Sequence, residues 1–427
     1  MSEKIVITGM GVVCSIGGSI EELRAALEAG RSGVGFIQQD SASAGPVNIG
    51  AMLKDFSFEQ RLPALAGLPP PVLERARRSA QRAPLPIQCS VLGALQAWKE
   101  ARLGEAPIDP ERIGVVVAAE GSMQRFHFDA FAKYGKGPEY LSPRYVLHGL
   151  ETDHVGTLSE VLQLHGEGFT VGGASASGNV AILKAAQLLQ LGLLDACVVV
   201  GALCDLSPVA LQGFFNVGAM GGRRFRDSPE LACRPFDQEH EGFIYGQGSG
   251  CLILETAGSA KGRGVPGKAE LLGGALRLDG NRLADPNEAG EIRVMQQCMA
   301  RANLRPEQVD YINAHGSASP LGDKTEVRAI RAVLGDQTPR VWINSTKGLT
   351  GHCLFSAGVI EAIACVTQME HGFVHPNLNL RQPIDTVCRF SGPVAERVRI
   401  QVALSNSFGF GGINSCIAFG TRGPGDV

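Results

Sequence analysis

Three turns in this sequence place a reactive side chain beside a buried element, and a fourth is rich in glycine and phenylalanine. Residues 172–178 read GGASASG and lead into an apolar helical stretch. Backbone N–H groups at such a helix start lack partners within the helix and can face an anion or a developing oxyanion. A hydroxyl at Ser175 over those donors could act as a nucleophile or contact a substrate oxygen; it could equally be a plain helix cap. Residues 313–323, NAHGSASPLGD, place His315 after a predicted strand. Residues 344–352, NSTKGLTGH, place His352 before a second apolar helical stretch. Each histidine alone reads as a structural residue, but two at equivalent places are less easily dismissed as such. Residues 405–414, SNSFGFGGIN, read as a glycine-rich turn whose two phenylalanines could form an aromatic lid over exposed backbone N–H groups, or as a plain hairpin turn.

The elements that must hold these turns follow an alternating pattern. Predicted strands fall at residues 4–8, 113–118, 195–201, 309–314, 341–344, 398–404 and 413–419. Ser19 followed by Glu22 reads as a capping box opening a helix. Residues 178–191 and 357–370 are apolar nearly all round, which marks buried helices. Strands alternating with helices predict an α/β fold with covered sheets. Two buried helices, each after a small-residue turn, predict two similar halves, divided in the Gly/Ala/Ser-rich stretch 255–267: residues 1–255 with Ser175, and 256–427 with His315, His352 and the Phe408 loop. Residues 64–86, rich in Pro and Arg, read as surface loop and helix.

Composition sets outer bounds. The 427 residues are 44% hydrophobic with a formal net charge of −3, enough to bury a large core and too balanced for a nucleic-acid binder. Eleven cysteines with no C-x-x-C pair, and no leader-like start, predict reduced thiols in the cytoplasm. No apolar run is long enough for a transmembrane helix. The histidines are read as scattered, with no HExxH motif, so no metal site is expected. Cys353, beside His352, is read as a small packing residue rather than a substitute nucleophile.

The turns, together with the opening KIVITGMGVVCSIG and the middle segment RPFDQEHEGFIYGQGSG, resemble the signatures of the β-ketoacyl-acyl-carrier-protein synthases (ketosynthases), in order and over nearly the whole chain. The resemblance implies a thiolase-like five-layered αβαβα fold with two pseudo-duplicated halves, a homodimer, and a tunnel for the phosphopantetheine arm of an acyl carrier protein, with no separate cofactor. It implies that His315 and His352 face a thioester carbonyl, and that Lys347 and Glu326 form the polar pair supporting them. Ser317 and Ser319 would contact the pantetheine. Phe408 would gate the site, its N–H and that of residue 175 forming an oxyanion hole. Arg75, Arg77, Arg78, Arg82, Arg223, Arg224 and Arg226 are candidates for docking the acidic carrier.

Four departures qualify the resemblance. Ser175 stands where the family carries its nucleophilic cysteine; His240-Glu241 replaces Arg-Asp; Gln247 replaces Glu; and Thr152-Asp153-His154 replaces Asn-Met-Ala. A serine hydroxyl stays protonated where a thiol would ionise, and its ester is a poorer acyl donor than a thioester. Decarboxylating a malonyl thioester needs no acyl-enzyme. The expected activity is therefore malonyl-carrier-protein decarboxylation to acetyl-carrier protein, and serine variants of this kind resemble those of polyketide β-branching cassettes. The alternatives are a serine-dependent acyltransferase or slow condensing enzyme, and a non-catalytic partner resembling chain-length factors.

Overall fold

In a computed structural model, residues 3–37 and 48–421 are described; the ends of both predicted halves, residues 1–2 and 422–427, lie outside them. The frame is one run of hydrogen-bonded strands. In chain order the principal ones are β1 (Ile5–Cys14), β2 (Ile113–Ala118), β3 (Gly168–Val171), β4 (Ala196–Gly201), β5 (Gly248–Thr256), β6 (Ala269–Leu278), β7 (Tyr311–Asn313), β8 (Trp342–Asn344), β9 (Val402–Gly409) and β10 (Ile413–Gly420). The first five pair in the order β1-β5-β4-β2-β3, the second five as β6-β10-β9-β7-β8. In each set the first three strands pair antiparallel and the last two join in parallel. The same connectivity is thus used twice. The sets meet where Ile5–Ile7 of β1 pairs antiparallel with Ala269–Leu271 of β6.

The helices explain the layering. The first, α1 (Ile20–Ala29), begins at Ser19, whose hydroxyl accepts the Glu22 N–H. The Glu22 carboxylate reaches back to the Gly18 N–H, one residue before the cap. On the outside of the first set, α2 (Leu85–Glu100) packs on β1 and β5. The two apolar helices, α3 (Ser177–Gln190) and α6 (Ala357–His371), lie back to back in the middle. Each touches strands of both sets: α3 reaches β2, β4 and β10, and α6 reaches β5 and β9. On the far side, α4 (Glu288–Arg301) covers β6 and β10 and packs on α5 (Pro320–Leu334). Five layers, helix-sheet-helix-sheet-helix, result. Burial along nearly their whole length is why α3 and α6 are so apolar, α3 being exposed only at Gln187 and Gln190 in its second half; each fully buried Leu, Ile or Val adds roughly 1.5–3 kcal/mol.

Two strands differ from their sequence reading. β1 runs on to Cys14, through a register shift between Ile7 and Gly9. The strand expected at residues 398–404 begins at Val402 and continues to Gly409, so most of the expected loop at 405–414 is strand. The reason is cross-strand pairing: every residue from Val402 to Gly409 has a partner in β10, leaving only residues 410–412 as the turn.

The two central helices cross where glycine meets glycine. A Cβ at Gly178 would sit 2.7 Å from the Val359 nitrogen and 2.9 Å from the Gly358 Cα. These are backbone atoms and cannot swing aside. Gly178→Val should therefore destabilise the protein by about 1–3 kcal/mol and lower the thermal midpoint by several degrees. Melting at the wild-type temperature would contradict this packing.

Candidate active site

Each central helix begins with a matching tight turn. Ala174–Ala176 and Leu354–Ser356 are single 3-10 turns, and both open on a residue in the left-handed region, Ala174 (φ 48°) and Leu354 (φ 52°). Non-glycine residues in sparsely populated backbone regions cost of order 1–3 kcal/mol each and persist where the surroundings fix them. These turns bring Ser175 and His352 together from the two halves. The Ser175 Oγ lies 2.9 Å from His352 Nε2. Ser175 is not a helix cap: the residue before α3 is Ala176, with no capping side chain, and the Ser177 hydroxyl donates to the Ala174 carbonyl.

A backbone contact sets the role of His352. The Leu354 N–H donates to Nδ1 of His352, 3.1 Å away. An N–H can donate only to a lone pair, so Nδ1 is unprotonated and the ring proton sits on Nε2. His352 therefore points a donor at Ser175, and cannot accept the serine proton through the same nitrogen.

His315 stands beside it. The two imidazole centroids are 5.6 Å apart at 80°, and the Phe408 ring is 5.7 Å from His315. Burial, then the Lys347 cation and the neighbouring His352, holds His315 well below its ordinary pKa. Burial and Lys347 do the same for His352. Both rings stay neutral at physiological pH.

The expected pairing of Lys347 with Glu326 needs correction. Lys347 Nζ donates to the His315 carbonyl at 2.7 Å, and its ion-pair partner is Glu361, from the second turn of α6. Both groups of that pair are buried. Glu326 instead binds backbone: its two oxygens accept the N–H groups of His315 and Gly316, each at 2.8 Å, and the Asn406 amide donates to it at 3.1 Å. Burial raises its pKa to about 7 despite these donors. Glu326 therefore shapes the turn that carries His315, while Lys347 links that turn to α6.

A cavity of about 140 Å³ opens onto Ser175, His315 and His352. Ser317, Ser319, Glu326 and Phe408 also line it, along with Phe214, Phe243 and Phe355. Ser319 has a second duty, its hydroxyl capping α5 through the Gly322 N–H. Lys347 lies behind the wall. Cys353 is buried and its thiol is pushed far up by burial, so it is no substitute nucleophile. His240 is buried against Asp323, at 3.1 Å, beside the cavity. Glu241 accepts backbone N–H groups of Gly222 and Arg224, and Gln247 bridges Leu53 and Asp205. These departures fill packing positions. Several of the seven arginines are already engaged: Arg75 bonds the Val161 carbonyl, Arg78 pairs with Glu160, and Arg223 stacks on Phe215. One histidine pair does have i, i+4 spacing, His371 and His375, contrary to the scattered reading. The helix ends between them at left-handed Gly372, and His375 turns inward to Thr346. Among the described residues, no group of three or more His, Cys, Asp or Glu side chains could hold a metal ion, and no helix is long and apolar enough to cross a membrane.

Fold and site together define a class. The β-ketoacyl synthase N-terminal domain matches residues 2–260 and its C-terminal domain residues 268–381; the chain belongs to the β-ketoacyl synthase family and has its thiolase-like fold. Among curated relatives, the chain is 37% identical over 414 residues to the polyketide biosynthesis malonyl-ACP decarboxylase PksF of Bacillus subtilis, covering 97% of this chain and 95% of that one. It is 32% identical to the chloroplastic 3-oxoacyl-[acyl-carrier-protein] synthase I of Arabidopsis thaliana, covering 99% and 87%. Among solved structures, a type II polyketide ketosynthase in complex with its acyl-carrier protein superposes with a TM-score of 0.86 at 25% identity, covering 99% of this chain and all of that one. A β-ketoacyl synthase from Burkholderia phymatum gives 0.85 at 27%, with the same coverage.

The neutral state of the histidines can be checked without any substrate. The ring resonances of His315 and His352, followed by NMR from pH 8 to pH 5.5, should show no protonation. The sign follows from the lowered pKa values: the neutral form persists as pH falls past the ordinary histidine midpoint. A midpoint near 6.5 for either ring would contradict the burial and the Lys347 field.

Proposed function

We propose that this protein decarboxylates malonyl-acyl-carrier protein to acetyl-acyl-carrier protein. The observation that carries the reading is the Leu354 N–H on His352 Nδ1. It leaves the site with a donor where a serine nucleophile would need a base. Likeness to a malonyl-ACP decarboxylase over nearly the whole chain supports it.

In this reading the malonyl thioester oxygen takes the place of the Ser175 hydroxyl as acceptor for His352 Nε2–H, with His315 as the second donor. The C–C bond to the carboxylate breaks, CO2 leaves, and its electron pair becomes the enolate of the acetyl thioester. The two imidazole donors stabilise the charge arriving on oxygen; each such donor is worth about 2.7–4 kcal/mol of barrier. A proton from solvent then completes the acetyl group. The Phe408 ring beside His315 offers the departing carboxylate no counter-charge. Ser175 fills the nucleophile position without being acylated. Burial and the Lys347 cation keep both rings neutral, while Glu326 holds the His315 turn and Glu361 holds Lys347. Backbone N–H groups at residues 175 and 408 complete the oxyanion contacts. Ser317 and Ser319 contact the pantetheine, which brings the substrate so that no separate cofactor is needed.

The halves 1–255 and 256–427 contribute Ser175 and the two histidines respectively. A second copy of the chain is the proposed partner for an exposed apolar face that includes Phe131, Tyr134, Leu147 and Leu150. It would extend β3, which pairs only with β2 among the described residues. Exposed arginines such as Arg77 and Arg82 remain candidates for carrier docking. All eleven cysteines are buried and unpaired, which supports a reducing cytoplasm. The acetyl product fits a supply step for polyketide β-branching.

The test is direct. Malonyl-loaded carrier protein incubated with the protein should lose the mass of CO2. His315→Ala and His352→Ala should each slow this at least about a hundredfold. Near-normal turnover in either variant, or a product of higher mass than acetyl-carrier protein, would overturn the reading.

A further inference from the structure

We infer that Glu120 is a positioning residue that clamps the turn carrying Ser175. Glu120 follows β2, and one of its oxygens, Oε2, accepts both the Gly173 N–H at 2.9 Å and the Ala174 N–H at 3.0 Å. Consecutive N–H groups around a left-handed residue form a concave donor site, and here a carboxylate fills it. The fit is close: a Cβ on Gly172 would lie 2.7 Å from the same oxygen. From the other side β9 presses on the turn, since a Cβ on Gly409 would lie 2.5 Å from the Gly173 carbonyl oxygen. The turn is thus held between a carboxylate and a backbone. Glu120 takes the first two N–H groups, and leaves the Ser175 N–H for the substrate side.

The loop that bears Glu120 is itself fixed, and His154 of the unusual Thr152-Asp153-His154 stretch takes part in fixing it. The Ser122 N–H and hydroxyl donate to the two Glu151 oxygens, at 2.9 and 2.6 Å. His154 is fully buried, which lowers its pKa to about 3 and keeps it neutral. A neutral ring has one N–H. Since the Ser122 hydroxyl proton is committed to Glu151, His154 Nε2–H donates to Ser122 at 3.0 Å, and Nδ1 accepts from Ser90 at 3.1 Å. The chain runs in one direction, Ser90 to His154 to Ser122 to Glu151. It anchors the loop two residues from the clamp.

The kinetic part of the inference rests on the decarboxylase reading; the structural part does not. Glu120→Ala removes both hydrogen bonds, whereas Glu120→Gln offers an amide oxygen that can accept both. Hydrogen exchange of the segment 172–176 should be at least about tenfold faster in Glu120→Ala. It should stay near wild type in Glu120→Gln, with residues 347–352 unchanged in both. With malonyl carrier protein, Glu120→Ala should lose about tenfold or more in kcat, with KM within about threefold, and Glu120→Gln should keep kcat within about threefold. Unchanged exchange in Glu120→Ala, an equal defect in Glu120→Gln, or a loosened turn with wild-type kcat would each overturn the inference. If the wild-type protein turned over no malonyl carrier protein, the decarboxylase reading would fall while the exchange comparison still decided the clamp.

Discussion

The hydrogen bond from the Leu354 N–H to His352 Nδ1 governs the chemistry available to this site. It forms in the turn before α6, where Cys353 at φ −78° and ψ 13° curls the chain so that the Leu354 N–H faces the ring of His352 two residues back. That one bond selects the tautomer, the tautomer makes Nε2 a donor, and the donor faces Ser175. A serine hydroxyl becomes nucleophilic only when a neighbour takes its proton. An oxyanion, by contrast, is served by this arrangement. The same protein geometry is thus poor for acyl transfer through serine and suited to stabilising an enolate.

The remaining polar groups protect that state. Lys347 is buried between the His315 carbonyl and Glu361, tying the histidine turn to α6 and adding a positive field that disfavours protonation of both rings. A buried ion pair gives little net stability, but removing one partner typically costs 3–5 kcal/mol because the other charge is left uncompensated. The pair therefore serves position and charge more than stability. Glu326 works on the backbone instead, taking the N–H groups of residues 315 and 316. The duplicated topology sets the location: the site lies where the starts of α3 and α6 meet, one from each half.

Much of this frame was legible in the sequence, and the reasons are local. Largely apolar helices after small-residue turns pointed to α3 and α6, and a histidine just past a strand and another just before a buried helix pointed to the two histidine turns. Glu361 was missed, although a lone carboxylate within the apolar stretch AGVIEAIACV signals that a buried partner must exist. Assigning Lys347 to Glu326 went astray because sequence spacing does not say which buried acid a lysine reaches. The extension of β9 into the glycine-rich segment depends on pairing with β10, and the junction of β1 with β6 joins residues far apart in sequence. Glu120 gave no pattern at all, since its partners are backbone N–H groups more than fifty residues away.

Turnover of malonyl carrier protein by Ser175→Ala, with intact-mass spectra of the wild-type enzyme taken during turnover, separates enolate stabilisation from acyl transfer through Ser175. The variant keeps both imidazole donors and the backbone N–H groups, and loses one hydroxyl contact worth roughly 0.5–1.5 kcal/mol. It should retain activity within about tenfold of wild type, and the wild-type mass should show no acyl adduct. An inactive alanine variant together with an acylated wild-type Ser175 would contradict the account and establish serine-dependent acyl transfer in its place.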